Sequence, residues 1–202
     1  MMKNLRLGAS LFVLLFMASL PCRSLSTDER IDKIRELYQR IQELDCGDVC
    51  AHFKHEIVYN TMLPAIGLQT TAVQFFYFSG QLDPETDPYL LTHELKKVKV
   101  TYNIAASAYY TIEYLYDENG DLVFYYWREE TAFEQNEKRF YFYNKKLLKV
   151  AMDYTPWEGD RVKYEDVKNF KKEDVQEATW LMQRALDYKT LFETLIAAEQ
   201  WK

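Results

Sequence analysis

Six glycines and five prolines are few for a chain of 202 residues. Phosphate-cradling loops, dinucleotide fingerprints and the Gly-x-Ser-x-Gly nucleophile elbow all need glycine at fixed spacing, and none of them occurs. No linker rich in Pro, Gly or Ser, no repeat and no low-complexity tract divides the chain, so a single domain is expected over residues 25–202. Bases are outnumbered too, with 25 Lys and Arg against 31 Asp and Glu for a formal net charge of −6. Residues 1–24 carry Lys3, Arg6 and Arg23 and no acid, so losing these three cations takes the net charge from −6 to −9. That balance repels nucleic acid and acidic membrane surfaces. With only three cysteines and three histidines, thiol or metal chemistry has few positions to come from, and the sequence implies no cofactor.

A long apolar run occurs only at the start. Lys3 and Arg6 precede Leu7 to Leu20, and Pro21 closes the run. It is too short for a membrane-spanning helix and reads as a signal peptide over residues 1–24. The chain is therefore expected to be exported, to the periplasm, the outer envelope or the medium. Cys22 and Ser24 suit a cut before Leu25, which frees the product. In the other version Cys22 becomes the first residue and carries a lipid, the only route by which this chain is expected to meet a membrane.

Aromatic residues are what the chain has in plenty, at 16%, and they crowd between Tyr109 and Tyr143. Before them, Ser26 and Glu29 have the spacing of a capping box. Ile31, Ile34, Leu37, Tyr38, Ile41 and Leu44 then recur at helical intervals up to Gly47. Glu56 to Met62 is a candidate short strand, and Pro64, Gly67 and Thr70-Thr71 suggest an ordered loop. From Val73 the period becomes two. Strands are expected at 73–78, 95–104, 109–117, 122–130, 138–144 and 146–154, with a surface loop over Gly80 to Tyr89. Asn119-Gly120 and Asn144-Lys145 are hairpin turns that need left-handed residues. A stripe of Val175, Ala178, Leu181, Met182, Ala185, Leu186, Phe192, Leu195 and Ile196 predicts a long helix to about Gln200. The expected fold is α+β: an antiparallel meander of about six strands against an N-terminal and a long C-terminal helix, with both helices on one face.

Neighbouring aromatics such as Tyr125-Tyr126-Trp127 and Phe140-Tyr141-Phe142-Tyr143 must point to both faces of a sheet. With one face under the helices, the other would expose Tyr114, Tyr116, Tyr125, Trp127, Tyr141 and Tyr143, or their neighbours in the opposite register. Tyrosine couples a flat apolar ring to a hydroxyl, which suits a protein or glycan partner or a seam with a second copy. The competing reading is that sheets simply favour aromatics. In the second strand Val98, Val100, Tyr102 and Ile104 alternate with Lys97, Lys99, Thr101 and Asn103, so part of one face is wet.

Cys46, Cys50, His52 and His55 form the other cluster, and thiolate with imidazole is a good set for a soft metal. The spacing matches neither paired zinc knuckles nor the zinc-protease helix, where glutamate directly follows the first histidine. In an oxidising compartment Cys46 and Cys50 are expected to form a local disulfide worth about 2 kcal/mol. Glu113, Glu129, Glu130 and Glu134 fall near the central hairpins, and nothing in the sequence selects a catalytic pair among them.

The stretch from Tyr114 to Val150 contains Tyr-Leu-Tyr-Asp-Glu-Asn-Gly-Asp-Leu and then Arg139-Phe-Tyr-Phe-Tyr-Asn-Lys-Lys-Leu. It resembles the aromatic hairpins of small exported bacterial proteins without an assigned function. The resemblance covers under a quarter of the chain and adds no site residues. The expected function is a non-enzymatic exported binding module for a protein or glycan partner, using the aromatic face. The rival is a metal-handling protein or enzyme centred on Cys46, Cys50, His52 and His55.

Overall fold

The computed structural model describes residues 25–43, 53–83, 87–105, 107–156 and 158–199. Residues 1–24, the expected signal peptide, and the Cys46, Cys50 and His52 positions lie outside them. Helix α1 spans Thr27–Glu43. Its capping box forms as the sequence implies: Ser26 N donates to Glu29 Oε2 at 2.7 Å, and Glu29 N donates to Ser26 Oγ at 3.2 Å. This reciprocal pair satisfies two amide donors at the helix start.

Eight strands follow, in the order β1 Phe53–Leu63, β2 Gly67–Asp83, β3 Asp87–Ile104, β4 Ala108–Tyr116, β5 Leu122–Thr131, β6 Gln135–Tyr143, β7 Lys146–Tyr154 and β8 Val162–Asp166. Each pairs antiparallel with the next, so the sheet is a meander in sequence order with β1 and β8 as its edges. Helix α2, Lys172–Glu199, closes the chain. The protein is thus α+β with an antiparallel sheet. The surface loop expected over Gly80 to Tyr89 is largely strand, because β2 runs to Asp83 and β3 starts at Asp87. Between β7 and α2, where no strand is expected, the chain forms β8, in which Val162 and Tyr164 alternate with the exposed Lys163 and Glu165 over only five residues.

The turns follow local chemistry. Asn144 and Lys145 both adopt left-handed backbone, at φ 48° and 60°, the demand of a two-residue hairpin. At the β4–β5 connection only Gly120 is left-handed, at φ 73°, which corrects the expected Asn119-Gly120 pair. Gly120 N donates to Asp117 O at 3.0 Å and Asp117 N to Asp121 O at 3.0 Å. A Cβ at Gly120 would meet only the flexible end of Lys189 on α2, which can swing aside, so it is the positive φ that favours glycine there.

The two helices lie on opposite faces of the sheet, contrary to the expectation of one covered face. From α2, Ala178, Leu181, Ala185, Phe192 and Ile196 are buried against Val73, Phe75, Val98, Val100, Tyr114, Tyr125, Phe140 and Val150. From α1, Ile31, Ile34 and Ile41 are buried against Leu115, Val123, Phe124 and Tyr141. Period-two alternation explains the split. Tyr125 and Phe140 point one way while Phe124 and Tyr141 point the other, so both faces present apolar area that must leave water. Val175 and Leu186, counted in the apolar stripe of α2, are 46% and 54% exposed.

Candidate binding face

The aromatic set expected to form one wet face is divided and mostly buried. Tyr114, Tyr116 and Tyr125 are 2%, 1% and 4% exposed beneath α2, and Tyr116 Oη donates to Ala185 O at 2.8 Å. Trp127 is half-buried at the margin of the same core, with Lys138 Nζ 5.7 Å from its ring centre. Tyr141 is buried on the opposite side under α1. Tyr143 alone among the six is exposed, with the Arg30 guanidinium 4.0 Å from its ring centre. Burial of this kind fits core packing and cross-strand aromatic pairing rather than a docking platform.

Among the described residues, the uncovered surface lies on the α1 face, because a 17-residue helix spans only part of an eight-stranded sheet. Cross-strand register aligns its side chains in rows. One row runs Gln74, Lys99, Glu113, Tyr126, Arg139, Ala151 and Glu165 from β2 to β8. Its neighbour runs Ala72, Thr101, Thr111, Arg128, Glu137, Asp153 and Lys163. Where these rows meet α1, Tyr38, Gln42, Lys99, Thr111, Glu113, Phe124, Tyr126, Arg128 and Arg139 line a recess of about 400 Å³.

Glu113 is the anchor of this recess and is only 3% exposed. Tyr38 Oη donates to its Oε2 at 2.5 Å, and Gln42 Nε2 donates to Oε2 at 2.9 Å and Oε1 at 3.1 Å. Lys97 Nζ, fully buried, lies 3.8 Å from Oε1 and 4.5 Å from the centre of the Phe76 ring. A buried carboxylate demands such donors, since desolvation without them costs several kcal/mol. These contacts tie α1 to β3 and β4 and leave the cations at the mouth. Arg128 pairs with Glu130 at 2.6 Å while its Nε is buried without a hydrogen-bond partner among the described residues. Arg139 pairs with Glu137 and stacks 5.8 Å from the Tyr126 ring centre. Tyr126 Oη donates to Glu137 Oε1 at 2.9 Å.

The recess also sets a pH response. Burial first, then the Glu113 charge, pushes the Tyr38 hydroxyl well above the ordinary tyrosine range. Burial and the bond to Glu137 push Tyr126 up to about 12. Both folded values exceed the unfolded value of about 10, so their contribution is complete below that pH and is lost as pH rises through the folded values. Thermal melts should therefore be insensitive to tyrosine ionisation up to about pH 9 and fall steeply between about pH 10 and 12. Phenolate absorbance should lag behind that of free tyrosine until the fold is lost. Ordinary titration of every tyrosine in the intact fold would overturn this description.

Of the Cys46, Cys50, His52, His55 cluster, only His55 lies among the described residues. Its Nε2 is 3.2 Å from both Tyr77 Oη and Glu199 Oε2, which links β1 and β2 to the end of α2. Among the described residues no group of three or more His, Cys, Asp or Glu is arranged to hold a metal ion, and no helix is long and apolar enough to cross a membrane. Sequence reading named Glu113 among four carboxylates without selecting it, and it missed Arg128 and Arg139, which sit in the charged runs that end β5 and precede the aromatic half of β6. Comparison with protein families, with curated proteins and with solved structures returns no match for this chain.

Proposed function

We propose that the protein is a non-enzymatic exported binding module that works in the periplasm, at the outer envelope or outside the cell. Its binding surface is the open α1 face, and the ligand the recess suits is a glycan that carries carboxylates. The observation that carries this reading is the recess itself. Arg128 and Arg139 stand at its mouth beside Tyr126 and Gln42, in a chain whose net charge is −6. Guanidinium groups pair with carboxylates in fixed geometry, and tyrosine rings and amides serve sugar faces and hydroxyls. The internal partners Glu130 and Glu137 are on the same surface, so an incoming carboxylate has to exchange with exposed ion pairs that are each worth little.

Calorimetric titration with oligogalacturonate, and with neutral dextran oligosaccharide as control, tests the proposal. The native chain should bind the acidic probe in a salt-sensitive way and ignore the neutral one. The Arg128→Ala, Arg139→Ala double variant should bind at least about tenfold more weakly, since a hydrogen bond to a charged group contributes about 1.5–3 kcal/mol. Equal affinity in the double variant, or no binding by the native chain, would contradict it.

A further inference from the structure

The two edges of the sheet are unlike. Strand β8 has five residues, and its Lys163 and Glu165 are exposed, the usual way of discouraging strand addition. Strand β1 has eleven residues, without proline or glycine, and pairs with β2 without a register shift. Among the described residues no strand pairs with its outer edge, which presents an unbroken row of backbone donors and acceptors. Val58, Tyr59 and Met62 are 57%, 49% and 72% exposed along it, and Leu68 of β2 is 53% exposed behind Met62.

We infer that β1 pairs antiparallel with β1 of a second copy about a two-fold axis at Val58, joining two sheets into one continuous sheet. Val58 is the middle residue of Phe53–Leu63, so this axis uses the whole strand. It sets Val58 against Val58, and on the α2 face it sets Ile57 of each copy against Tyr59 of the other, an aromatic and β-branched pairing that stabilises sheets. Glu56 then opposes Asn60, His55 opposes Thr61 and Lys54 opposes Met62, so no like charges meet. Moving the axis to Glu56 would oppose two carboxylates and shorten the overlap. The two-fold arrangement closes on itself, which accounts for a long open edge in a chain that does not need to form a fibre.

Sedimentation velocity on the chain purified from its host, across micromolar concentrations, tests the inference with three samples. The native chain should sediment as a dimer. Val58→Lys and Val58→Glu should each be folded monomers by circular dichroism, since Val58 is exposed and the variants oppose like charges. Mixed in equal amounts, the two should form a heterodimer because lysine then faces glutamate. A monomeric native chain, a dimeric Val58→Lys variant, or no association in the mixture would overturn the inference.

Discussion

Tyr125→Ala should lower stability by about 3–5 kcal/mol, the range for removing a large buried ring. For a domain of this size that corresponds to a fall of roughly 10–15 °C in Tm. Tyr125 is 4% exposed in β5. Its ring meets Tyr114 at 5.3 Å and Phe140 at 5.9 Å in edge-to-face contacts across three strands, beneath α2. Truncation opens a cavity in the centre of the larger core, and the neighbouring rings are held by backbone register, so they cannot close it. A platform tyrosine would behave in the opposite way, losing partner binding at little cost to the fold. Thermal melts of Tyr125→Ala beside the exposed-site control Tyr109→Ala, 61% exposed, separate the two cases. Equal Tm values would place the aromatic face in solvent and contradict the packing described.

Glu113→Ala should cost about 3–5 kcal/mol, because it breaks a buried ion pair from one side. The substitution removes the acceptor of Tyr38 and Gln42 and the carboxylate beside Lys97. Desolvated donors without acceptors are expensive, whereas removal of both members of a buried pair is often tolerated. Glu113→Gln keeps the shape and one acceptor and should be intermediate. Lys97→Met combined with Glu113→Leu should recover the part due to the stranded ammonium, while Tyr38 and Gln42 still lose their acceptor, and a double-mutant cycle in denaturant measures the coupling. Additive effects of the two positions would show that the pair does not act as a unit. The Glu113 variants should also loosen α1, since its polar attachment to β4 runs through this side chain.

The fold was legible where local chemistry is decisive. The Ser26–Glu29 box and the Ile31, Ile34, Ile41 stripe determine α1, the left-handed Asn144 and Lys145 determine one hairpin, and period-two alternation gives the meander order. The face assignment was not legible. Tyr125 and Tyr126 are chemically alike, so alternation separates two sets of side chains without showing which set a helix covers, and two helices can share a face or divide them. Register was also hidden, because bulges between Phe76 and Tyr77, Leu115 and Tyr116, and Tyr141 and Phe142 shift the pairing by local twist. The binding recess depends on that register. The lysines and threonine of β3 marked a wet face, yet Lys97 is buried and Lys99 lies in the recess. Only the pairing of four strands brings Lys99, Glu113, Tyr126 and Arg139 into one row.

The proposed function depends on the α1 face being the one that meets ligand, and an NMR titration with oligogalacturonate tests this most directly. Amide and side-chain shifts should gather at Lys99, Thr111, Tyr126, Arg128 and Arg139, with Val98, Tyr114, Tyr125 and Phe140 beneath α2 unmoved. Shifts gathered on the α2 face or at the β1 edge, or none at saturating probe, would contradict it.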